Sequence, residues 1–282
     1  MTQFAYLHGL SSSPLATKAT VLREAYEADG LTLHCPDLNR PSFDKLTFDA
    51  ALASLDEMAA EYPNERWRLI GSSMGGYLAA RWAQLNPRRV ERLLLLCPGF
   101  DLASRWPTLL GADAMNRWER EGVFPIPDAT GAPVMVHWEF VAAARSHPPF
   151  PEFQCRARII HGRKDVVVLF ESSEFYAKTR SHVDLVEVDD DHRMIASLPI
   201  IEHAASRWLR HSEYHWDFFG PERVPTAKHF LAHLKEFLEL HDRGHLPILF
   251  AEADNHCAVV TCEAPHSDES MLVQALRPQR KT

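Results

Sequence analysis

The chain has 282 residues, 46% of them hydrophobic and 24% charged, with a formal net charge of −8. That size and balance suit a globular chain of one sizeable domain plus a smaller one, and the negative charge argues against nucleic acid or an anionic membrane as the main partner. No stretch reaches the roughly 18–20 apolar residues of a bilayer span, and Met1-Thr2-Gln3-Phe4 lacks a basic region ahead of a long apolar run, so neither a membrane span nor a signal peptide is expected.

The five cysteines, Cys35, Cys97, Cys155, Cys257 and Cys262, are scattered and form no C-x-x-C pair. They suit reduced thiols in a cytoplasmic protein better than a disulfide framework.

In chain order, Phe4-Ala5-Tyr6-Leu7 reads as a short buried strand ended by His8-Gly9-Leu10, and Ser11-Ser12-Ser13-Pro14 is a turn cluster. Residues 16–29 show helical periodicity at Val21, Leu22, Ala25 and Tyr26, stopped by Gly30. Residues 31–35 predict a second strand and residues 48–60 a second helix. The apolar run through Leu69-Ile70 ends in Gly71-Ser72-Ser73-Met74-Gly75, and a helix-like run follows at once as far as Asn86-Pro87. Leu93-Leu94-Leu95-Leu96 predicts a strand buried on both faces. Apolar strands alternating with helices predict an α/β fold, a mostly parallel sheet with helices on both faces.

From Pro98 to about Phe153 the rhythm is lost, and this stretch is read as a cap inserted over the strand ends. Its Trp106, Trp118 and Trp138 either line an acyl pocket or pack the cap itself. The sheet resumes at residues 157–162, continues at residues 183–188, and is followed by a helix over residues 197–209. The expected division is therefore 1–210 for the main domain and 211–282 for a small α+β module. The pattern of that module is β-α-β-β-α, with its helix marked by Ala227, Phe230, Leu231, Leu234, Phe237 and Leu238.

Active sites of such sheets lie beyond the carboxyl ends of the strands. The G-x-S-x-G run is short enough to recur by chance, but here it sits between strand and helix, the context of a nucleophile elbow. Ser73, at its centre, is the candidate nucleophile rather than Ser72. A serine hydroxyl needs a base, and the base a carboxylate to fix its tautomer. Asp165 comes just past one later strand and His192 just past the next, which places both at the same sheet edge as Ser73. Asp184, or an acid in the cap, is an alternative carboxylate. His8 reads as a structural turn residue, and His161, His182 and His203 are less well placed as bases. Asp189, Asp190 and Asp191 read as a solvated turn, with Asp191 close enough to influence His192. The oxyanion of an acyl intermediate needs two N–H donors, which nominates the backbone amides of Met74 and Leu10.

Tyr6-Leu7-His8-Gly9-Leu10-Ser11-Ser12-Ser13-Pro14 together with Gly71-Ser72-Ser73-Met74-Gly75-Gly76 resembles the small bacterial esterases of the YqiA type, within the α/β-hydrolases. The resemblance covers roughly residues 3–210. It implies hydrolysis of small-molecule carboxylic esters or acyl thioesters by a Ser-Asp-His triad, with no cofactor. The sequence departs from those esterases in its longer stretch from Pro98 to Phe153 and in its added residues 211–282, and both departures leave the acyl chain and leaving group unassigned.

The same triad also serves acyl transfer and C–C bond hydrolysis, and a third reading keeps the fold as a binding protein without catalysis. No metal is expected. Half of the sixteen histidines fall in residues 211–282, and His229 and His233 stand at the i, i+4 spacing that can hold zinc, but off the apolar stripe and without an H-E-x-x-H. Composition gives no oligomeric state.

Overall fold

The computed structural model describes residues 2–253 and 256–282. Thr2–Leu7 forms β1, Thr17–Ala28 α1, Leu33–His34 β2 and Phe48–Ala60 α2. The edge strand β2 is held by only two partners, Phe4↔Leu33 and Ala5↔His34, shorter than the predicted run because Pro36 has no N–H to extend the ladder. The side chain of Thr47 caps α2 by accepting the Ala50 amide at 3.1 Å.

Arg66–Ser72 is β3, Met74–Leu85 is α3, and Val90–Leu96 is β4. These are the centre of the molecule. Leu93 to Leu96 are all fully buried, each contributing about 2 kcal/mol relative to exposure. Helix α3 is buried nearly all round, from Met74 through Ala80 and again at Trp82 and Ala83, as expected of a helix enclosed by the core rather than resting on it.

Between β4 and the next strand of the main sheet lie Leu102–Leu110 (α4), Ala112–Glu121 (α5), the hairpin Val123–Pro127 (β5) and Pro133–His137 (β6), and Glu139–Ser146 (α6). The sequence shows no hairpin here because Pro125, Pro127 and Pro133 argue against strands. A two-stranded ribbon consists only of edges, where a missing N–H is tolerated. Its turn is held by Asp128, whose carboxylate accepts the amides of Thr130 at 2.8 Å and Ala132 at 3.1 Å. Trp118 stacks on Phe124 and meets Trp106 and Trp138 edge-on, each at 5.9 Å, so the three tryptophans pack the insertion.

Arg156–Gly162 (β7), Phe170–Lys178 (α7), Val183–Val188 (β8) and Leu198–His203 (α8) complete the first unit. The six strands of its main sheet are all parallel, in the order β2-β1-β3-β4-β7-β8.

The chain divides into two compact units between Ala205 and Ser206. This lies within the stretch the sequence reads as one helix; α8 gives way there to a π-helical turn, Ala204–Leu209. The second unit holds His211–Phe219 (β9), Arg223–Leu240 (α9), Ile248–Glu252 (β10), Cys257–Pro265 (β11), Glu269–Leu276 (α10) and the short Arg280–Lys281 (β12). Its sheet is antiparallel, in the order β10-β11-β9-β12. Alternate residues of β11 are buried against Tyr214, Trp216, Leu234 and Leu238, the pattern of a sheet covered on one face. Among the described residues no helix is long and apolar enough to cross a membrane.

Candidate active site

The site forms where β3, β7 and β8 end. Ser73 follows β3 with φ 55° and ψ −117°, a conformation rare for a residue with a side chain. Neighbouring contacts enforce it: the Ser73 amide donates to the Leu96 carbonyl at 2.9 Å, and the Ser73 carbonyl accepts from Tyr77 and Gly99. The flanking glycines make room. A Cβ on Gly75 would stand 2.1 Å from the Leu7 carbonyl oxygen, and one on Gly71 2.4 Å from the Gly75 oxygen. Ser72 is buried, with its hydroxyl in hydrogen-bonding reach of the Tyr6 phenol.

His192 lies between the other two candidates. Its Nδ1 is 2.6 Å from Asp165 Oδ2 and its Nε2 3.0 Å from Ser73 Oγ. A carboxylate only accepts, so Nδ1 carries the proton and donates it to Asp165, leaving Nε2 to accept from the serine hydroxyl. The Asp165 side chain is fully buried, that of His192 about a quarter exposed. Burial alone would raise the Asp165 pKa, but hydrogen bonds from His161 and His192 and from the Val168 amide hold its carboxyl well below the usual carboxylate range.

The carboxylate is fixed by more than His192. Its Oδ1 accepts the amides of Val167 and Val168, both at 2.9 Å. His161, fully buried, sets Nε2 3.3 Å from Asp165 Oδ2 and 3.0 Å from the Val168 carbonyl. Facing two acceptors, that nitrogen must carry the proton, and Nδ1 accepts from the Ser173 hydroxyl at 2.7 Å. His161 therefore faces the acid, away from the nucleophile. The sequence carries the signal in the four-residue spacing His161-Gly162-Arg163-Lys164-Asp165, which sets the ring beside the acid rather than beside Ser73. Cys97, the first residue after β4, went unread: its Sγ, an Asp165 oxygen and a His192 nitrogen all lie within 4.8 Å of one another. Burial pushes its thiol strongly up, which keeps it protonated.

The loop bearing His192 is not simply a solvated turn. Asp190 is buried, and its carboxylate accepts the amides of Asp191 and Ser197, each at 2.8 Å. Asp189 is exposed and pairs with Lys164 at 2.8 Å. The Asp165 and His192 loops also touch directly. The Asp190 carbonyl accepts the Lys164 amide at 3.0 Å, and a Cβ on Gly162 would stand 2.2 Å from that same oxygen.

The remaining sequence candidates fall elsewhere. Asp184 is half exposed and pairs with Arg158 at 3.4 Å. His8 is buried and structural, its Nε2 accepting the Leu38 amide at 3.0 Å. His182 meets Phe153 edge-on, and His203 ends α8. His229 and His233 touch each other on α9, Nε2 to Nε2 at 3.1 Å. Leu10 lines a cavity of about 250 Å³ beside Ser73 and His192, together with Gly9, Lys18 and Arg193. Met74 opens α3, where the first amides of a helix have no intrahelical acceptor.

Several known proteins resemble this chain. The chain is 27% identical over 135 residues to "Palmitoyl-protein thioesterase ABHD10, mitochondrial" of Bos taurus, a match covering 45% of this chain and 44% of that protein. The Homo sapiens protein of the same name gives the same figures. This chain thus spans less than half the length of the curated relatives it matches. Among solved structures, a putative hydrolase from Agrobacterium vitis S4 superposes with a TM-score of 0.65 at 21% identity, covering 72% of this chain and 86% of that one. Mouse alpha/beta hydrolase domain-containing protein 10 gives a TM-score of 0.60 at 20% identity, covering 71% and 86%. Est1E from Butyrivibrio proteoclasticus with bound ferulic acid gives 0.63 at 16%, covering 72% and 86%. These neighbours show the α/β-hydrolase fold. Residues 3–204 match the Uncharacterised protein family UPF0227, nearly the span over which the sequence resembles the YqiA-type esterases, and the chain belongs to that family.

Proposed function

We propose that the protein is a serine hydrolase cleaving carboxylic esters or acyl thioesters, with Ser73 as nucleophile, His192 as general base and acid, and Asp165 as the carboxylate orienting it. The observation that carries this reading is the His192 ring bridging Asp165 at 2.6 Å and Ser73 at 3.0 Å in one tautomer. The distant thioesterase relatives agree with it.

In this reading Ser73 Oγ attacks the substrate carbonyl and gives its proton to His192 Nε2. Asp165 stabilises the imidazolium through Nδ1–H. The amides of Met74 and Leu10 receive the oxyanion. His192 returns the proton to the departing oxygen or sulfur, leaving an acyl group on Ser73. Water, deprotonated by the same histidine, then releases the acid and restores the hydroxyl.

A fluorophosphonate probe should label the folded protein at Ser73, and Ser73→Ala should lose labelling together with a fall in ester turnover of about 10⁴-fold or more. Wild-type turnover by Ser73→Ala would overturn the serine mechanism. Failure of the probe to label native protein would favour a binding protein instead.

A further inference from the structure

The protein carries a net charge of −8, yet the cavity beside Ser73 is lined by two cations, Lys18 and Arg193, and by no carboxylate among the described residues. Lys18 sits in the first turn of α1, and its ammonium donates to the Arg193 carbonyl at 2.6 Å. That bond uses one of its three N–H donors. The nearby acids are engaged elsewhere: both Asp190 oxygens accept backbone amides, and Asp191 accepts the Arg193 amide at 2.8 Å. Arg193 itself makes only a long contact to Asp191, at 3.5 Å, with its side chain 81% exposed. Burial pushes the Lys18 ammonium down from its ordinary value, and the nearby carboxylates of Asp190 and Asp191, which do not line the cavity, offset this only in part.

The position of these cations gives a direction. Lys18 is bonded to the backbone carbonyl of the residue that follows His192, so its ammonium stands on the histidine's side of the cavity. A histidine that takes the serine proton must hand it to the leaving atom, so the leaving group occupies that side. We propose that the preferred substrates are esters or thioesters whose leaving alcohol or thiol carries an anion, a carboxylate or a phosphate, bound by Lys18 and Arg193. This rests on the serine-hydrolase reading and adds the leaving group to it. The reaction is unchanged: the acyl–sulfur or acyl–oxygen bond breaks, water supplies the hydroxyl of the acid, and the leaving group departs with the proton from His192.

The test is a set of matched thioesters followed by thiol release above background. S-acetyl-2-mercaptoethanol provides the neutral leaving group, S-acetyl-3-mercaptopropionate the carboxylate and S-acetyl-2-mercaptoethyl phosphate the phosphate. An S-adipoyl thioester against its S-hexanoyl match places the anion on the acyl side. The expected result is a kcat/KM about tenfold higher for at least one anionic leaving group than for the neutral one, the size of a hydrogen-bonded charge. Which of the two is favoured identifies the anion. Lys18→Met should bring that ratio toward one and Lys18→Arg should keep most of it. In the wild type, added salt should erode it. The ratio is the readout, so a variant of reduced overall activity remains informative, and the salt series on wild type serves if Lys18→Met does not fold. Equal rates for neutral and anionic leaving groups, an advantage confined to the S-adipoyl thioester, or a ratio indifferent to salt would each overturn the proposal while leaving Ser73-dependent hydrolysis standing. Absence of any Ser73-dependent hydrolysis would overturn the hydrolase reading, and this one with it.

Discussion

At the carboxyl edge of the parallel sheet, His8, Ser72, His161, Asp165, Ser173 and Asp190 are all buried, each with a hydrogen-bond partner, within a few residues of Ser73 in the fold. In the second unit the buried polar side chains among the described residues are Ser212 and Asp268, and the core is otherwise apolar. Burying a polar group costs roughly 1–3 kcal/mol unless it is paired. A fold minimising that cost alone would resemble the second unit. The first keeps a dense polar network around the His192 ring, and its backbone is strained at Ser73, the residue that ring meets.

The sharpest way to break the contrast is at the elbow. Gly75→Ala sets a methyl carbon against the Leu7 carbonyl, backbone on both sides with no side chain to give way. The expected outcome is loss of soluble folded protein, read by expression and circular dichroism, whereas an alanine at Gly244, where a Cβ would meet only the Glu239 side chain closely, should leave the melting temperature nearly unchanged.

A smaller effect isolates the network. His161→Phe keeps a ring and removes the N–H facing Asp165. It should lower kcat about 10–100-fold, the worth of one hydrogen bond to a charge, with KM little changed, and His161→Gln should return part of the loss. The sign of the pH effect is fixed as well. The His161 N–H helps hold the Asp165 pKa below its usual range, so its removal raises that pKa. Acid unfolding of the variant should therefore set in at a higher pH than that of the wild type, followed by circular dichroism.

In the second unit the expected effect is on stability. Glu269 accepts from His266 at 2.9 Å and Lys281 at 2.7 Å, and although burial opposes it, these bonds bring its pKa down to about 2. A depressed folded value contributes stability that is fully present above the ordinary value of 4.5 and is lost as pH falls through about 2. Glu269→Gln should flatten the pH dependence of unfolding between these limits, with ester turnover at neutral pH unaffected. The smallest effect is predicted for His229 and His233. Replacing both exposed rings by alanine should change stability by under about 0.5 kcal/mol, checked by thermal melts with and without zinc.

The parallel sheet was legible because its strands are apolar along their whole length, as in Leu93-Leu94-Leu95-Leu96, and because helices intervene at regular intervals. Ser73, Asp165 and His192 were legible because strand ends fix where a loop residue emerges. The structure brings the three together. What escaped was whatever depends on tertiary partners. The β5–β6 hairpin was hidden by prolines that only a two-edged ribbon accepts. Asp190 looked like one of three equivalent acids until the amides of Asp191 and Ser197 distinguished it. Cys97 is an ordinary core residue by sequence, and only its approach to Asp165 and His192 gives it a part in the site; His161 stands four residues before Asp165, but its facing the acid rather than the nucleophile depends on the fold.

The contact between Gly162 and the Asp190 carbonyl has a further meaning. It joins two loops that leave different strands, so the main-chain separation from which Asp165 and His192 reach toward each other is fixed by backbone packing. On the proposed reading, the ordering that Asp165 and His192 need is thus completed when the sheet forms. Such a joint tolerates change in the groups around it far better than change at Gly162 itself.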